Sequence, residues 1–276
     1  MLHVPAQPLV MGILNATPDS FSDGGRFDTV DAGIQHALSM LDEGADLIDI
    51  GGESTRPGAP AVDAASEAQR VLPIIRAVLQ ERPRARISID TSKATVAEAA
   101  LNAGVLWVND VTALSDPAMA SVCAAARCTV VLMHMRGDPR TMQRQTAYTD
   151  LVQEVEAHLK ARTTAAVDAG IDVERIVLDP GVGFGKASAD NARLFHVIPR
   201  LVAQGHRVLV GASRKRFIGD LTGQSVPGER VHGSVGAALA AVALGAQIVR
   251  VHDVAATVQA LTVFTAVGRA QPAVAS

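Results

Sequence analysis

Polar side chains stand at the ends of short apolar segments along this 276-residue chain. "RISID" ends in Asp90, "LWVND" contains Asn109, "RIVLD" ends in Asp179, and "RVLVGAS" runs into Lys215. A carboxylate accepts from paired N–H donors, asparagine both donates and accepts, and lysine donates to a carbonyl or ring nitrogen. Together these groups fit the edge of a planar heterocycle with an amino group beside a ring N–H.

A second set of residues suits an anion. Arg56 and Arg250 offer guanidinium forks and His252 offers a further donor, which fits a phosphate or pyrophosphate. The segments 15–25 ("NATPDSFSDGG") and 51–59 ("GGESTRPGA") are rich in hydroxyl groups and glycine. Ordinary turn chemistry explains such composition, but the first segment is longer than a usual βα loop and is typical of a lid.

The glycine-rich stretch "DPGVGFGK" (179–186) does not match a phosphate-binding P-loop. Ala187 follows Lys186 where that motif requires Ser or Thr. The glycines let the backbone approach a flat ligand closely. We therefore expect Asp179 to bind a heterocycle edge and Lys186 to be solvated.

The elements that must position these side chains repeat along the chain. Eight apolar segments are each followed by a helical pattern, at 9–15, 47–51, 86–90, 106–110, 129–135, 175–179, 207–213 and 247–253. Eight β/α units in about 250 residues predict an α/β fold, a TIM (β/α)8 barrel. A doubly wound sheet is the alternative, but it has fewer strands, and its G-x-G-x-x-G turn is missing. With no linker in the sequence, we expect a single domain over 1–276.

The barrel prediction gathers the polar residues, because the carboxyl ends of its strands meet at one face. A single such residue can instead cap the following helix, as Asp90 would before "TSK". Repetition around eight strands favours one polar pocket.

Composition narrows the class of protein. With 48% hydrophobic and 19% charged residues, the strands are expected to be buried on both faces. A net charge of −3 predicts neither a nucleic-acid nor a membrane partner. Cys123 and Cys128 cannot form a disulfide framework, which favours a cytoplasmic location. The Gly- and Ala-rich run 233–249 predicts a helix followed by a strand, since it is weak for a membrane span.

The ordered blocks of the chain resemble the dihydropteroate synthase family over almost the whole length. They are "MGILNATPDSFSDGG", "IDIGGESTRPGA", "SIDTSK", "VNDV", "MHMRGDPRTMQ", "LDPGVGFGK", "GASRKRFIG" and "RVHDV". That family joins a dihydropterin pyrophosphate to p-aminobenzoate and releases pyrophosphate. The resemblance implies a dissociative mechanism with Mg²⁺ as cofactor, small-molecule substrates and a homodimer.

The resemblance also implies roles for individual residues. Catalytic roles fall to Asp19, Asp90, Lys215 and Arg250. The pterin pocket is formed by Asp90, Asn109, Asp179 and Lys215, with Met133, Phe184 and Gly211 around the ring. Asn15 would help to hold magnesium, and Thr55, Arg56, Arg250 and His252 would bind the pyrophosphate. The p-aminobenzoate pocket would be shaped by Asp19, Phe21, Thr55, Pro57 and the segment from Ser213 to Arg216.

Two positions depart from the family pattern, and three other functions remain open at this stage. Arg136 stands where Gln is frequent, and Arg216 where some members have Ser. The alternatives are a methyltetrahydrofolate-type methyl-transfer barrel, a non-catalytic pterin-binding protein, and an aldolase with a Schiff base on Lys215. The pyrophosphate residues weigh against the first, and the retained Asp19, Lys215 and Arg250 against the second.

Several features have plainer interpretations. The "RGD" at 136–138 is expected by chance, and a zinc site using His134 and His252 is not expected, because three strands separate the two residues. Trp107 and Tyr148 are interpreted as structural aromatics. His3, His158 and His206 are predicted to be surface residues. The apolar segment 254–268 either covers the barrel or contributes to a dimer interface.

Overall fold

The computed structural model describes residues 8–17, 26–55, 58–139 and 141–269. Within them, parallel strands β1 to β8 pair in chain order, and β8 pairs with β1 to close a barrel. The strands are β1 Leu9–Asn15, β2 Leu47–Gly51, β3 Ile87–Asp90, β4 Trp107–Asp110, β5 Thr129–Met133, β6 Ile176–Asp179, β7 Arg207–Val210 and β8 Ile248–Val251. The predicted TIM barrel is confirmed.

Helices surround the barrel between successive strands. They are α1 Arg26–Asp42, α2 Ala64–Glu81, α3 Ala94–Asn102, α4 Met119–Ala126, α5 Leu151–Asp168, α6 Ser188–Leu194, α7 Ile198–Ala203, α8 Arg216–Thr222, α9 Val231–Ala243 and α10 Val254–Arg269. Gly44, Gly104, Gly170 and Gly245 follow α1, α3, α5 and α9, and all four have positive φ. Glycine at the end of a helix adopts this left-handed conformation without steric cost.

Side chains alternate between two buried layers along each strand. Outward-facing residues such as Ile48, Ile50, Ile87 and Ile89 pack beneath the helices. Inward-facing residues of the lower barrel form a separate apolar cluster of Leu9, Met11, Leu47, Trp107, Val131, Val177, Leu209 and Ile248. Because both faces are covered, the strands are nearly continuous apolar runs, as the composition predicts.

Three strands end earlier than the sequence predicts. β5 ends at Met133, β7 at Val210 and β8 at Val251, which leaves His134, Ser213 and His252 in the following loops. The His252 backbone N–H donates to the Ser213 side chain at 3.1 Å rather than to a neighbouring strand. At the ends of β7 and β8, this loop contact replaces the strand pairing.

The run 233–249 divides into most of α9 and the start of β8, as predicted from its composition. None of the helices in the described ranges is both long and apolar enough to cross a membrane. Cys123 and Cys128 are buried, free thiols.

Candidate active site

Four polar side chains from four strands form one network inside the upper barrel. The Arg250 Nε donates to Asp49 Oδ2 at 2.6 Å, and its Nη2 donates to Asp90 Oδ2 at 2.7 Å. The Asn109 side-chain amide donates to the same Asp49 oxygen at 2.8 Å. Asp90 therefore points into the barrel. It does not cap α3, which follows Lys93.

Burial and opposite charge set the protonation of this network. Burial raises the pKa of Asp90 to about 7, although Arg250 opposes the rise, while Asp49 adds to it. Burial alone would lower the pKa of Arg250, but the carboxylates of Asp49 and Asp90 outweigh it and raise that pKa. The Arg250 Nη1 has no hydrogen-bond partner within the described ranges, so it is available to an anion.

A second group joins the end of β6 to the loop after β7. Burial raises the pKa of the Asp179 carboxyl, with Lys215 opposing the shift. Burial also lowers the pKa of Lys215 to about 8, with Asp179 opposing. The Lys215 Nζ donates to the Val182 carbonyl and lies 4.5 Å from the centre of the Phe184 ring. A carboxylate, an ammonium and an aromatic face thus line one side of the barrel mouth.

The β6 loop, residues 180–187, forms around Lys186. Lys186 is 3% exposed, so the prediction that it is solvated is wrong. Its Nζ lies 2.8 Å from the Gly181 and Phe184 carbonyl oxygens and 2.9 Å from His134 Nδ1. These acceptors replace its water. Burial lowers the pKa of Lys186 to about 7, against the influence of Asp179.

The remaining strand-end residues lie around these two groups. Met133 pairs with Asp179 in the register of β5 and β6 and is buried. Gly211 lies beside the Arg250 side chain, and a methyl group placed on it would be 3.7 Å from the Arg250 Cβ. The Ser213 Oγ lies 3.1 Å from His252 Nδ1, which joins the loops after β7 and β8.

The loop after β2 borders the site across a small cavity. Thr55 and Asp90 both line this cavity, whose volume is about 140 Å³. The loop is held by Lys93, whose Nζ lies 2.5 Å from both Glu53 Oε2 and Glu67 Oε2. Glu67 is fully buried on α2, so this contact anchors the loop to the barrel wall.

A magnesium ion would have to use oxygen ligands at the end of β1. Asn15 ends β1 beside Gly51 of β2, and its side chain makes no hydrogen bond within the described part of the chain. In the same part no group of three or more His, Cys, Asp or Glu residues could hold a metal. Mg²⁺ commonly binds through one or two protein oxygens together with substrate phosphates. An unengaged amide oxygen at the barrel mouth fits that mode of binding.

Some residues assigned by resemblance are not brought into the site. Arg216 begins α8, and its side chain is 88% exposed and lies 3.6 Å from Asp220. Arg136 stacks on Tyr148 and pairs with Glu154, so this departure from the family pattern affects loop packing. The predictions for Asp19, Phe21, Arg56 and Pro57 fall outside the described residues.

Residues that the sequence analysis missed support the site from within the barrel. The clearest is Asp49, a fully buried carboxylate in the middle of β2. Its signal was available, because a charged residue two positions after inward-facing Leu47 must also face inward. Asp49 Oδ1 and its register neighbour Ser88 Oγ are buried without hydrogen-bond partners in the described ranges.

One histidine prediction is also wrong. His158 is partly buried, and its ring packs edge-on against His134 with centroids 4.9 Å apart. His206 is partly exposed, which agrees with its prediction as a surface residue. His3 lies outside the described residues. Trp107 is buried in the lower barrel, and the Tyr148 hydroxyl donates to the Gly185 carbonyl at 2.8 Å, so both aromatics are structural as expected.

Comparison with known proteins shows extensive similarity. The family model described as "Pterin binding enzyme" matches residues 11–252. A dihydropteroate synthase of a Synechocystis strain is 47% identical over 261 residues, covering 94% of this chain and 90% of the relative.

Two solved structures of Xanthomonas albilineans dihydropteroate synthase are also similar to this chain. The structure with 4-aminobenzoic acid has a TM-score of 0.91 and 50% identity, and covers 96% of this chain and 94% of that one. The structure with 7,8-dihydropteroate has a TM-score of 0.88 and 48% identity, and covers 96% and 95%.

Proposed function

The chain belongs to the dihydropteroate synthase family of pterin-binding enzymes, and we propose that it acts by a dissociative, magnesium-assisted substitution. It is a transferase that condenses a dihydropterin pyrophosphate with p-aminobenzoate to form 7,8-dihydropteroate and pyrophosphate. The observation that carries the proposal is the single barrel mouth that joins Asp179 and Lys215 to the Arg250 network. Because the chain belongs to this family, the three alternative functions are set aside: methyl transfer, non-catalytic pterin binding and an aldolase reaction.

The proposed pterin contacts use polar residues of β4, β6 and the loop after β7. Asp179 accepts from the amino group and the adjacent ring N–H, and Lys215 donates to the ring carbonyl or a ring nitrogen. Asn109, which can both donate and accept, forms hydrogen bonds with the neighbouring donor and acceptor groups of the pterin ring. Phe184 lies against the ring face, and the β6 loop keeps water from that side.

The proposed chemistry separates charge, and the site contains groups of both signs to stabilise it. As pyrophosphate leaves, the Nη1 of Arg250, which has no hydrogen-bond partner among the described residues, stabilises the developing negative charge. The carboxylate of Asp90 stabilises the pterin-methyl cation through the ring N–H. The aromatic amine then attacks that carbon, and no covalent intermediate with the enzyme forms.

Magnesium, when bound through Asn15, supplies positive charge at the pyrophosphate. Thr55 and His252 border the same region and donate hydrogen bonds to the phosphate oxygens. The phosphate role of Arg56 and the lid role of Asp19 rest on the sequence and on the family resemblance.

The proposal includes a cytoplasmic homodimer. The helix α10 covers the barrel through the buried Val254 and Leu261, yet Val263 and Val267 on it are 59% and 69% exposed. Exposed valines on a helix already packed on one side support a contact between two copies. The buried thiols of Cys123 and Cys128 suit a reducing compartment.

The test is an assay with dihydropterin pyrophosphate and p-aminobenzoate, with and without Mg²⁺, measuring dihydropteroate and pyrophosphate. Wild type should give both products only with Mg²⁺, and Lys215→Ala should lose about 100-fold or more in kcat/KM, as for a lost charged contact. Lys160→Met, on the exposed face of α5, is the control. Pterin binding without either product from wild type would contradict the proposal.

A further inference from the structure

The β6 loop has an unusual arrangement of backbone acceptors, because five successive carbonyl groups are all bound by side-chain donors. Lys186 binds the carbonyls of Gly181 and Phe184, and Lys215 binds that of Val182. Gln143 lies 3.4 Å from the Gly183 carbonyl, and Tyr148 donates to that of Gly185 at 2.8 Å. The conformation of this loop therefore depends on the side chains that bind its carbonyl groups.

Lys186 is the most buried of these donors. An ammonium group has three hydrogens, and three acceptors lie within 2.9 Å of its nitrogen: two carbonyls and His134 Nδ1. No carboxylate lies within ion-pair distance of that nitrogen in the described ranges. Burying an amine without a counter-ion is costly, so this lysine has a role that an apolar residue could not fill.

The backbone of the loop is fitted to that amine. Gly181 has φ of +73°, and a Cβ there would collide with the carbonyl oxygen of His134. That same oxygen lies 3.2 Å from the Lys186 Nζ. The close approach of Gly181 to His134 therefore forms part of the lysine's binding pocket, and the chain can turn back over the amine only with glycine at this position.

The loop residues that Lys186 orders are the ones that contact Lys215. Lys186 holds the carbonyls on either side of the 182–183 pair. The Val182 carbonyl accepts from Lys215, and the Phe184 ring lies beneath its nitrogen. The hydrogen bonds of Lys186 go to the β6 loop and to His134.

We propose that Lys186 is a positioning residue: its amine fixes the β6 loop so that the Val182 carbonyl and the Phe184 ring hold Lys215 in its pterin-binding position. The importance of Lys215 for pterin rests on the proposed function. The contact between Lys215 and Phe184 does not, so the two claims can be tested separately.

The first measurement uses no substrate. The chain has four lysines, Lys93, Lys160, Lys186 and Lys215, so ε-¹³C-lysine labelling gives few signals. The ε-methylene protons of Lys215 should be shifted upfield by the ring current of Phe184, and Phe184→Leu identifies that shift. Lys186→Met should abolish it, whereas Lys160→Met should leave it unchanged. An unaltered Lys215 signal in folded Lys186→Met would overturn the proposal.

The second measurement is the Kd of dihydropterin pyrophosphate by calorimetry. Lys186→Met should raise this Kd at least about tenfold, the scale of one lost charge-assisted hydrogen bond. If Lys186→Met does not fold, the milder variant Tyr148→Phe, which frees only the Gly185 carbonyl, should reduce the Lys215 shift in part. An altered Lys215 signal with unchanged pterin Kd contradicts the positioning role. Wild type that keeps the signal but binds no pterin contradicts the proposed function instead.

Discussion

Asp49 holds Arg250 and Asn109 in place, and both of these side chains are proposed to contact a ligand. One of its oxygens accepts from both Arg250 and Asn109, and the residue is fully buried. A buried carboxylate between two donors fixes both of them, because moving either donor leaves charge or hydrogen-bonding capacity unmatched. The orientation of Arg250 toward the barrel mouth thus depends on a residue below it.

We predict that Asp49→Asn lowers both activity and stability. Removing one partner of a buried ion pair costs about 3 kcal/mol in the free energy of unfolding, and misplacement of Arg250 should lower kcat/KM by about 100-fold. Urea unfolding and steady-state assays measure the two effects.

Asp46→Asn is the matched control for this prediction. Asp46, just before β2, accepts from the Val10 backbone N–H at 2.8 Å, so its loss should reduce stability and leave kcat/KM unchanged. Equal losses of activity in the two variants would refute the positioning role of Asp49.

At the residue scale, sequence reasoning identified the strand-end groups and missed the interior ones. Asp90, Asn109 and Asp179 stand where the apolar pattern stops, so they are visible in the sequence. The burial of Lys186 was not, because its acceptors are backbone carbonyls that exist only once the β6 loop has formed. Every residue type has a backbone carbonyl, so the sequence does not show which carbonyls will accept a hydrogen bond.

At the scale of elements, the loop after β2 is fixed by charge. Lys93, at the start of α3, joins Glu53 of the loop to Glu67 of α2. The other Glu53 oxygen accepts from the Val62 backbone N–H at 3.0 Å, which closes the loop on itself. Three separate segments therefore meet at one partly buried amine.

We predict that Lys93→Met loosens this loop without unfolding the barrel. Hydrogen exchange of the Val62 amide should become faster, because its acceptor Glu53 loses its anchor. The KM for p-aminobenzoate should rise roughly fivefold, which corresponds to about 1 kcal/mol of binding free energy, since Thr55 lies on this loop.

Arg82→Met provides the comparison for Lys93→Met. The Arg82–Asp42 pair is largely exposed, and exposed pairs contribute little, so exchange and KM should stay at wild-type values. Unchanged Val62 exchange in Lys93→Met would show that the loop does not depend on this lysine.

The elements themselves were largely predictable, because strands buried on both faces leave a strong signal. The errors lie at strand ends, where loop contacts such as that of Ser213 with His252 replace strand pairing. These contacts join residues 39 positions apart in the chain, and no local pattern reports them.

At the scale of the whole molecule, the barrel interior is divided into two halves. The lower half is apolar and closed around Trp107. The upper half contains Asp49, Asp90, Asn109, Asp179 and Arg250. The lower half stabilises the fold. The upper half contains polar atoms such as Asp49 Oδ1, which has no hydrogen-bond partner among the described residues. This arrangement keeps ligand-binding groups rigid without filling the mouth of the barrel.

The buried amine of Lys186 also makes the free energy of unfolding depend on pH in the alkaline range. Because burial lowers its pKa from 10.5 to about 7, the unfolded chain holds a proton between these values that the folded chain has released. Unfolding in this range takes up protons, so the free energy of unfolding should rise as the pH increases from 7 toward 10 and fall back as the pH drops through 7.

Urea midpoints at pH 7 and pH 9.5 measure this effect, and the rise should be smaller in Lys186→Met, which has no amine to titrate. An equal rise in both proteins would assign the proton uptake to other groups. If the difference is found, mildly alkaline solution stabilises this fold through Lys186 of the β6 loop.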